Sequence, residues 1–235
     1  MIDIHGLLQL SSLAGCVAVL LRLITSKLVR TYPKFAAYLL ICLSLQLVGT
    51  VFGACSTQLC LTFPLLEPVR CLGYILAIRE LVAVSFQDRT ALRGVQLPSG
   101  ARAGILAAGL TMILAAPTSH MFHGRILMIV RVERGISFGL AIFAMSILYT
   151  ASRKSVQLSR NSLVLFLFWI VWFLGDSTLL MASSLLPASR SVLVNDALAL
   201  FEVCSYAGWA LLLSKAREHE SLRLTTVRAF SDGLA

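Results

Sequence analysis

Along the chain, long runs of apolar residues alternate with short clusters of basic or small polar ones. A bilayer core about 30 Å thick takes roughly 20 apolar residues per helix, with about 17 to 25 as the working range. Seven runs meet or approach that length: 6–24, 35–55, 63–86, 103–117, 122–150, 163–186 and 192–213. The fourth is the shortest and fits a re-entrant or buried segment as well as a span. The pattern predicts an all-α fold, a polytopic membrane bundle of seven transmembrane helices over 1–213, followed by a short basic tail at 214–235.

Composition agrees with the pattern. Hydrophobic residues make up 58% of the chain, charged ones 13%, and the mean hydropathy is +0.86. A soluble domain carries about 25% charged residues to cover its surface, so most of this surface faces lipid. In a soluble protein the net charge of +9 would point to nucleic acid. Here the basic residues sort by position instead. Arg22, Lys27, Arg30 and Lys34, then Arg89, Arg93 and Arg102, then Arg153, Lys154 and Arg160, and finally Lys215, Arg217, Arg223 and Arg228 fall on one side of a seven-span chain. Only Arg125 and Arg190 fall on the other, while Arg70, Arg79, Arg131 and Arg134 lie inside spans.

By the positive-inside rule the N-terminus is outside and the C-terminus cytoplasmic, in a multi-pass protein of the inner membrane; if 103–117 does not cross, the C-terminus changes sides. The expected partner is the lipid bilayer, and nucleic acid is excluded. The opening MIDIHGLLQL has no basic residue before its apolar run, which reads as a retained anchor rather than a cleaved signal.

Ionisable groups inside spans cost at least about 2.5–3.5 kcal/mol each at a helix centre and default to a functional hypothesis. With a rise of about 1.5 Å per residue, four helices place such groups in one slab of the outer half: Glu67 and Arg70, then Arg131, Glu133 and Arg134, then Asp176, and then Glu202. Arg131 and Arg134 share a helix face and together present two guanidinium forks to a carboxylate or phosphate. Trp169, Trp172 and Asp176, spaced by three and four, set two indoles in line below a carboxylate. Two readings stand side by side. The slab is a ligand pocket with a charged rim and an aromatic floor, or it is an ion-pair network that fixes helix register with no ligand. For Arg79, near the cytoplasmic end of its span, snorkelling is the simpler account.

Smaller signals add little. Cys55 and Cys60 frame a short outer loop where a disulfide is feasible, although free thiols are the simpler reading. His120 and His123 have H-x-x-H spacing on the outer side, which Asp3 and His5 share; a metal site there is conceivable, but nothing in the sequence brings the N-terminus to that loop. Sliding the chain by 135 residues aligns 65–78 with 200–213, so that Glu67 meets Glu202, Gly73 meets Gly208 and Tyr74 meets Trp209. That is compatible with two parallel three-helix repeats around a linker helix. A retinal protein is excluded, because all four lysines sit at the cytoplasmic face. No H-E-x-x-H, G-x-x-x-x-G-K-[ST], G-x-S-x-G or C-x-x-C-H is present, and nothing calls for a cofactor.

Tyr32-Pro33, Phe35 and Tyr38, Glu67-Pro68, Arg79-Glu80, Val132-Glu133-Arg134 and Arg160-Asn161 together give the chain a further likeness. In these positions it resembles an uncharacterised group of small bacterial seven-helix integral membrane proteins. The resemblance implies a topology and a set of recurring polar positions, and no activity.

Three functions follow as expectations. The first is a sensory or regulatory protein with an outward-facing polar pocket for a small polar or anionic ligand, acting through a cytoplasmic protein partner. The second is a small-solute transporter or permease built on the three-plus-three repeat. An intramembrane enzyme ranks last, since no catalytic nucleophile and base stand at a characteristic spacing.

Overall fold

The computed structural model describes residues 4–52, 57–86, 125–153, 156–185, 191–218 and 220–223. The expected span at 103–117 lies outside them, as do Asp3, Cys55, His120, His123 and the side chains of His5 and Cys60. Six long helices are described: α1 (Ile4–Thr25), α2 (Pro33–Phe52), α3 (Thr57–Ser85), α4 (Arg125–Arg153), α5 (Arg160–Leu185) and α6 (Ser191–Leu212). A one-turn helix α7 (Lys215–Glu218) follows α6, and two short strands, β1 (Gln157–Ser159) and β2 (Ser221–Arg223), pair antiparallel.

The helices form where the apolar runs lie, and their ends follow the local chemistry. Lys27 ends α1 in the left-handed conformation (φ 58°), with its amide bonded to the Ile24 carbonyl. This is the helix-terminating geometry usually supplied by glycine. Proline at the first position of α2 costs nothing there, because that amide has no intrahelical partner.

The six helices close a ring in chain order: α1 packs on α2 and α6, α2 on α3, α3 on α4, α4 on α5, and α5 on α6 and α3. Trp169 of α5 fills the centre, touching Phe35 and Tyr38 of α2, Tyr74 of α3 and Trp209 of α6. Between α5 and α6 the packing is reciprocal. The Phe201 ring lies against Gly175, and the Phe168 ring lies against Gly208, one heptad away on both helices. A glycine at each site lets the opposing ring reach the helix backbone.

The distribution of side chains is inverted relative to a soluble protein. Leu211 and Leu193 are 75% and 68% exposed, whereas Glu67, Glu133, Arg134 and Asp176 are buried. Leucine outside and ionised groups inside is the arrangement lipid imposes. Four of the helices, over Gly6–Thr25, Pro33–Thr50, Arg131–Arg153 and Arg160–Ala182, are long and apolar enough to cross a membrane. The chain is a helical membrane protein.

Candidate functional site

The polar residues of the bundle gather at three places. In the first, Glu67 and Arg70 stand one turn apart on α3. The Arg70 Nε donates to Glu67 Oε1 at 2.7 Å, and its Nη2 pairs with Glu133 of α4. The guanidinium also lies 5.8 Å from the centre of the Tyr74 ring, one turn further along α3. On α4, Ser137 follows Glu133 by one turn and donates to Asp176 Oδ2 of α5 at 2.9 Å. Arg134 is buried on the adjoining face, its Nη1 3.7 Å from Met181 Sδ and its carbonyl accepting from Ser177. Of the expected slab, Glu67, Arg70 and Glu133 thus form one ion-paired chain, with Asp176 tied to α4 beside it. Arg134 turns toward α5, and Arg131 is half-buried one turn earlier.

Glu202 belongs to a second place, between α1, α2 and α6. Its Oε2 accepts from Ser12 Oγ at 2.8 Å and from Gln46 Nε2 at 3.4 Å, and Gln46 also donates to Ser12 at 2.8 Å. These groups wall a cavity of about 390 Å³ with Gln9, Thr50 and Asn195 at its polar side and Leu198 and Ala199 at its apolar side. Gly49 also lines it, and a Cβ there would meet nothing within 4 Å, so the wall is open at that point. Ligand sites of small molecules begin at about 300 Å³. The sequence reading named Glu202 but missed Ser12, Gln46 and Asn195. A signal existed: Gln9 and Ser12, Gln46 and Thr50, and Asn195 and Glu202 each stand at helical spacing on a single face.

The two indoles expected in line below Asp176 both meet Trp209 of α6, at 5.4 Å and 5.9 Å, and part beyond it. Trp169 enters the central core, while Trp172 stacks on Phe201 at 5.7 Å and lies 6.0 Å from Tyr206. Trp172 is thus part of the filled core. It does not form an open aromatic floor.

The third place is the opposite end of the bundle. Glu80 of α3 caps the N-terminus of α2: its carboxylate accepts from the Lys34 and Phe35 amides, each at 2.9 Å. A carboxylate at a helix N-terminus meets both the orphan amides and the positive end of the dipole. Nearby, Asn161 donates to the Ser214 carbonyl at 2.7 Å and to Glu218 at 2.9 Å. Tyr32 donates to the same carboxylate at 3.1 Å. Burial, the main cause, pushes the Tyr32 hydroxyl's pKa up, so it stays a donor. Arg22 donates to the Leu213 carbonyl at 2.9 Å. The start of the tail, α7 and β2, is therefore latched to the ends of α1 and α5 and to the loop that carries β1. Arg79 is exposed.

Among the described residues no group of three His, Cys, Asp or Glu side chains is placed to hold a metal ion, and Cys16, Cys42, Cys71 and Cys204 are free thiols. No family model matches the chain, and no curated protein or solved structure matches it.

Proposed function

We propose that the chain is a multi-pass inner-membrane protein of sensory or regulatory type, with its N-terminus outside, its C-terminus cytoplasmic and seven spans. In this reading a small ligand enters the Glu202 cavity from the outer side, and the response leaves through the tail. Two observations support the topology. Fourteen of the twenty basic residues fall on one side of a seven-span chain. In addition, α3 and α4 both run against α5 and hence parallel to each other: Arg134 and Ser137 of α4 meet Met181 and then Asp176 of α5, while Arg70 of α3 meets Glu133 and Tyr74, one turn on, meets Phe173. Parallel neighbours require the chain between them to return along the bundle, and the apolar run at 103–117 is the candidate for that crossing.

The observation that carries the function is the path of α6. Glu202 stands at the cavity, and about 15 Å further along the same helix its last turn is held by Arg22 and continues into the latched α7. A ligand that shifts α6 would bear directly on the latch, which a cytoplasmic partner reads. The test is hydrogen exchange of residues 214–218 in nanodiscs, comparing wild type with Ala199→Trp, which fills the cavity from α6. Altered exchange in the tail supports the reading, and unchanged exchange with a filled cavity removes it.

A transporter is the second reading, and one observation favours it. The aligned segments at 65–78 and 200–213 occupy matching environments: Glu67 and Glu202 are both at polar sites, Gly73 receives Tyr38 of α2 as Gly208 receives Phe168 of α5, and Tyr74 and Trp209 both flank Trp169. The α2–α3 and α5–α6 pairs thus pack alike, as a repeat would. Solute flux in proteoliposomes that is lost in Ala199→Trp would favour transport.

A further inference from the structure

Of the three polar places, the Arg70 chain pairs its charges internally and the tail latch uses its polar groups on backbone and neighbours. Among the described residues, the cavity between α1, α2 and α6 has a carboxylate, that of Glu202, in its lining. We infer that this cavity takes a small organic cation carrying a protonated amine, bound through Glu202; the inference rests on the reading of the cavity as a ligand site.

Among the described residues, Glu202 is the one charged residue that lines the cavity. Its partners among the described residues, Ser12 and Gln46, are neutral and both meet Oε2. No described lysine or arginine forms a salt bridge with it, and the Arg70 guanidinium is already bracketed by Glu67 and Glu133. Among the described residues Oε1 accepts no hydrogen bond, and Gln46 Oε1 is buried without a partner. The cavity therefore offers one carboxylate with an oxygen left to accept, beside the side-chain amides of Gln9, Gln46 and Asn195, which both donate and accept. An ammonium group, with three donors and no acceptor, is the complement. An anionic solute would face Glu202 with no described cation in the cavity lining, since the Arg70 guanidinium acts on Glu202 from beyond it.

Size and lining argue against a bare metal ion. A water's share of liquid volume is about 30 Å³, so about 390 Å³ holds an organic molecule. Calcium takes six to eight oxygen ligands, whereas Leu198 and Ala199 give an apolar wall for a carbon stem. The ammonium is supplied either by a free amine or by an ethanolamine lipid headgroup, and the two share this chemistry.

The experiment uses the full chain in phosphatidylglycerol nanodiscs, which contain no lipid amine. Thermal unfolding is followed by tryptophan fluorescence with phenethylamine, butylamine, putrescine and choline, and with the isosteres 2-phenylethanol and phenylacetate. At least one amine should raise the midpoint by several degrees while the isosteres do not. Glu202→Gln should weaken the apparent affinity at least tenfold. Ala199→Trp, which leaves Glu202 in place, should abolish the shift and so guards against misfolding of the first variant. If discs containing phosphatidylethanolamine show the same Glu202-dependent rise without added amine, the lipid is the source and the inference stands. Stabilisation by phenylacetate or 2-phenylethanol that survives Glu202→Gln but not Ala199→Trp would overturn the cation and keep the cavity as a ligand site. No shift from any solute, together with a tail unchanged in Ala199→Trp, would overturn both.

Discussion

Arg70→Met is the most informative single change to the bundle. It keeps a long side chain on α3 but removes the one guanidinium that bridges Glu67 and Glu133, whose side chains are 1% and 3% exposed. At 2.7 Å and an effective dielectric of about 20, the attraction to Glu67 alone is about 6 kcal/mol before desolvation is subtracted. Removing one partner of a buried pair typically costs about 3–5 kcal/mol, because the other charge is stranded. Arg70 is 20% exposed, so the lower end applies, about 3 kcal/mol. The assay is reversible unfolding in mixed micelles with increasing dodecyl sulfate.

The triple variant Glu67→Gln, Arg70→Met, Glu133→Gln separates charge from shape. Replacing a whole buried network with neutral groups of similar volume is often neutral or stabilising, so the triple variant should recover most of the loss. A single variant within about 1 kcal/mol of wild type would show that the carboxylates are not held by Arg70. A triple variant as unstable as the single one would show that packing, not stranded charge, sets the cost.

Three further outcomes follow from the packing and the caps. Gly208→Ala would bring a Cβ to 2.3 Å from the Phe168 ring, an overpacking that costs about 1–3 kcal/mol; Phe168→Leu in the same chain should return part of it in the same unfolding assay. Glu80→Ala removes the acceptor for the Lys34 and Phe35 amides and should cost about 1–2 kcal/mol, as loss of a helix cap does. Glu80→Gln, which keeps one oxygen, should cost less. Asn161→Ala releases the Ser214 carbonyl and one donor to Glu218, so trypsin should cut at Lys215 and Arg217 at least several-fold faster while the melting of the bundle hardly moves.

Much of the helical frame was legible because an apolar run is an additive signal. The expected spans at 122–150, 163–186 and 192–213 lie within three residues of the ends of α4, α5 and α6. Helix α3 departs most, starting at Thr57 rather than 63. Buried charge was legible too, since a carboxylate in a span is conspicuous, and Glu67, Arg70 and Glu133 meet as ion-pair logic expects.

What pairs across long separations was not legible. Glu80 caps a helix 46 residues away in sequence, and the three-residue strands β1 and β2 are too short to show a period. The divergence of Trp169 from Trp172 has a simple cause. Three residues on a helix leave side chains about 60° apart, enough for Trp169 to reach α2 and α3 as well as Trp209, and for Trp172 to reach Phe201 and Tyr206 as well as Trp209. The cavity was half seen, through Glu202, because Ser12 and Gln46 are neutral and cost too little in an apolar helix to stand out.

The central claim, a cavity that opens to the outer aqueous side with Glu202 at its base, is tested most directly by cysteine accessibility. Leu198 lines the cavity, and Leu193, on the same helix, is exposed on the outside of the bundle. Each is replaced by cysteine in a chain whose six natural cysteines have been removed, and intact spheroplasts are treated with a membrane-impermeant thiol reagent. Leu198→Cys should label from the outside and be blocked by the added Ala199→Trp, while Leu193→Cys should label no faster when the cavity is filled. Labelling of Leu198→Cys only after the cytoplasmic side is opened, or at a rate that Ala199→Trp leaves unchanged, would contradict an outward-facing pocket.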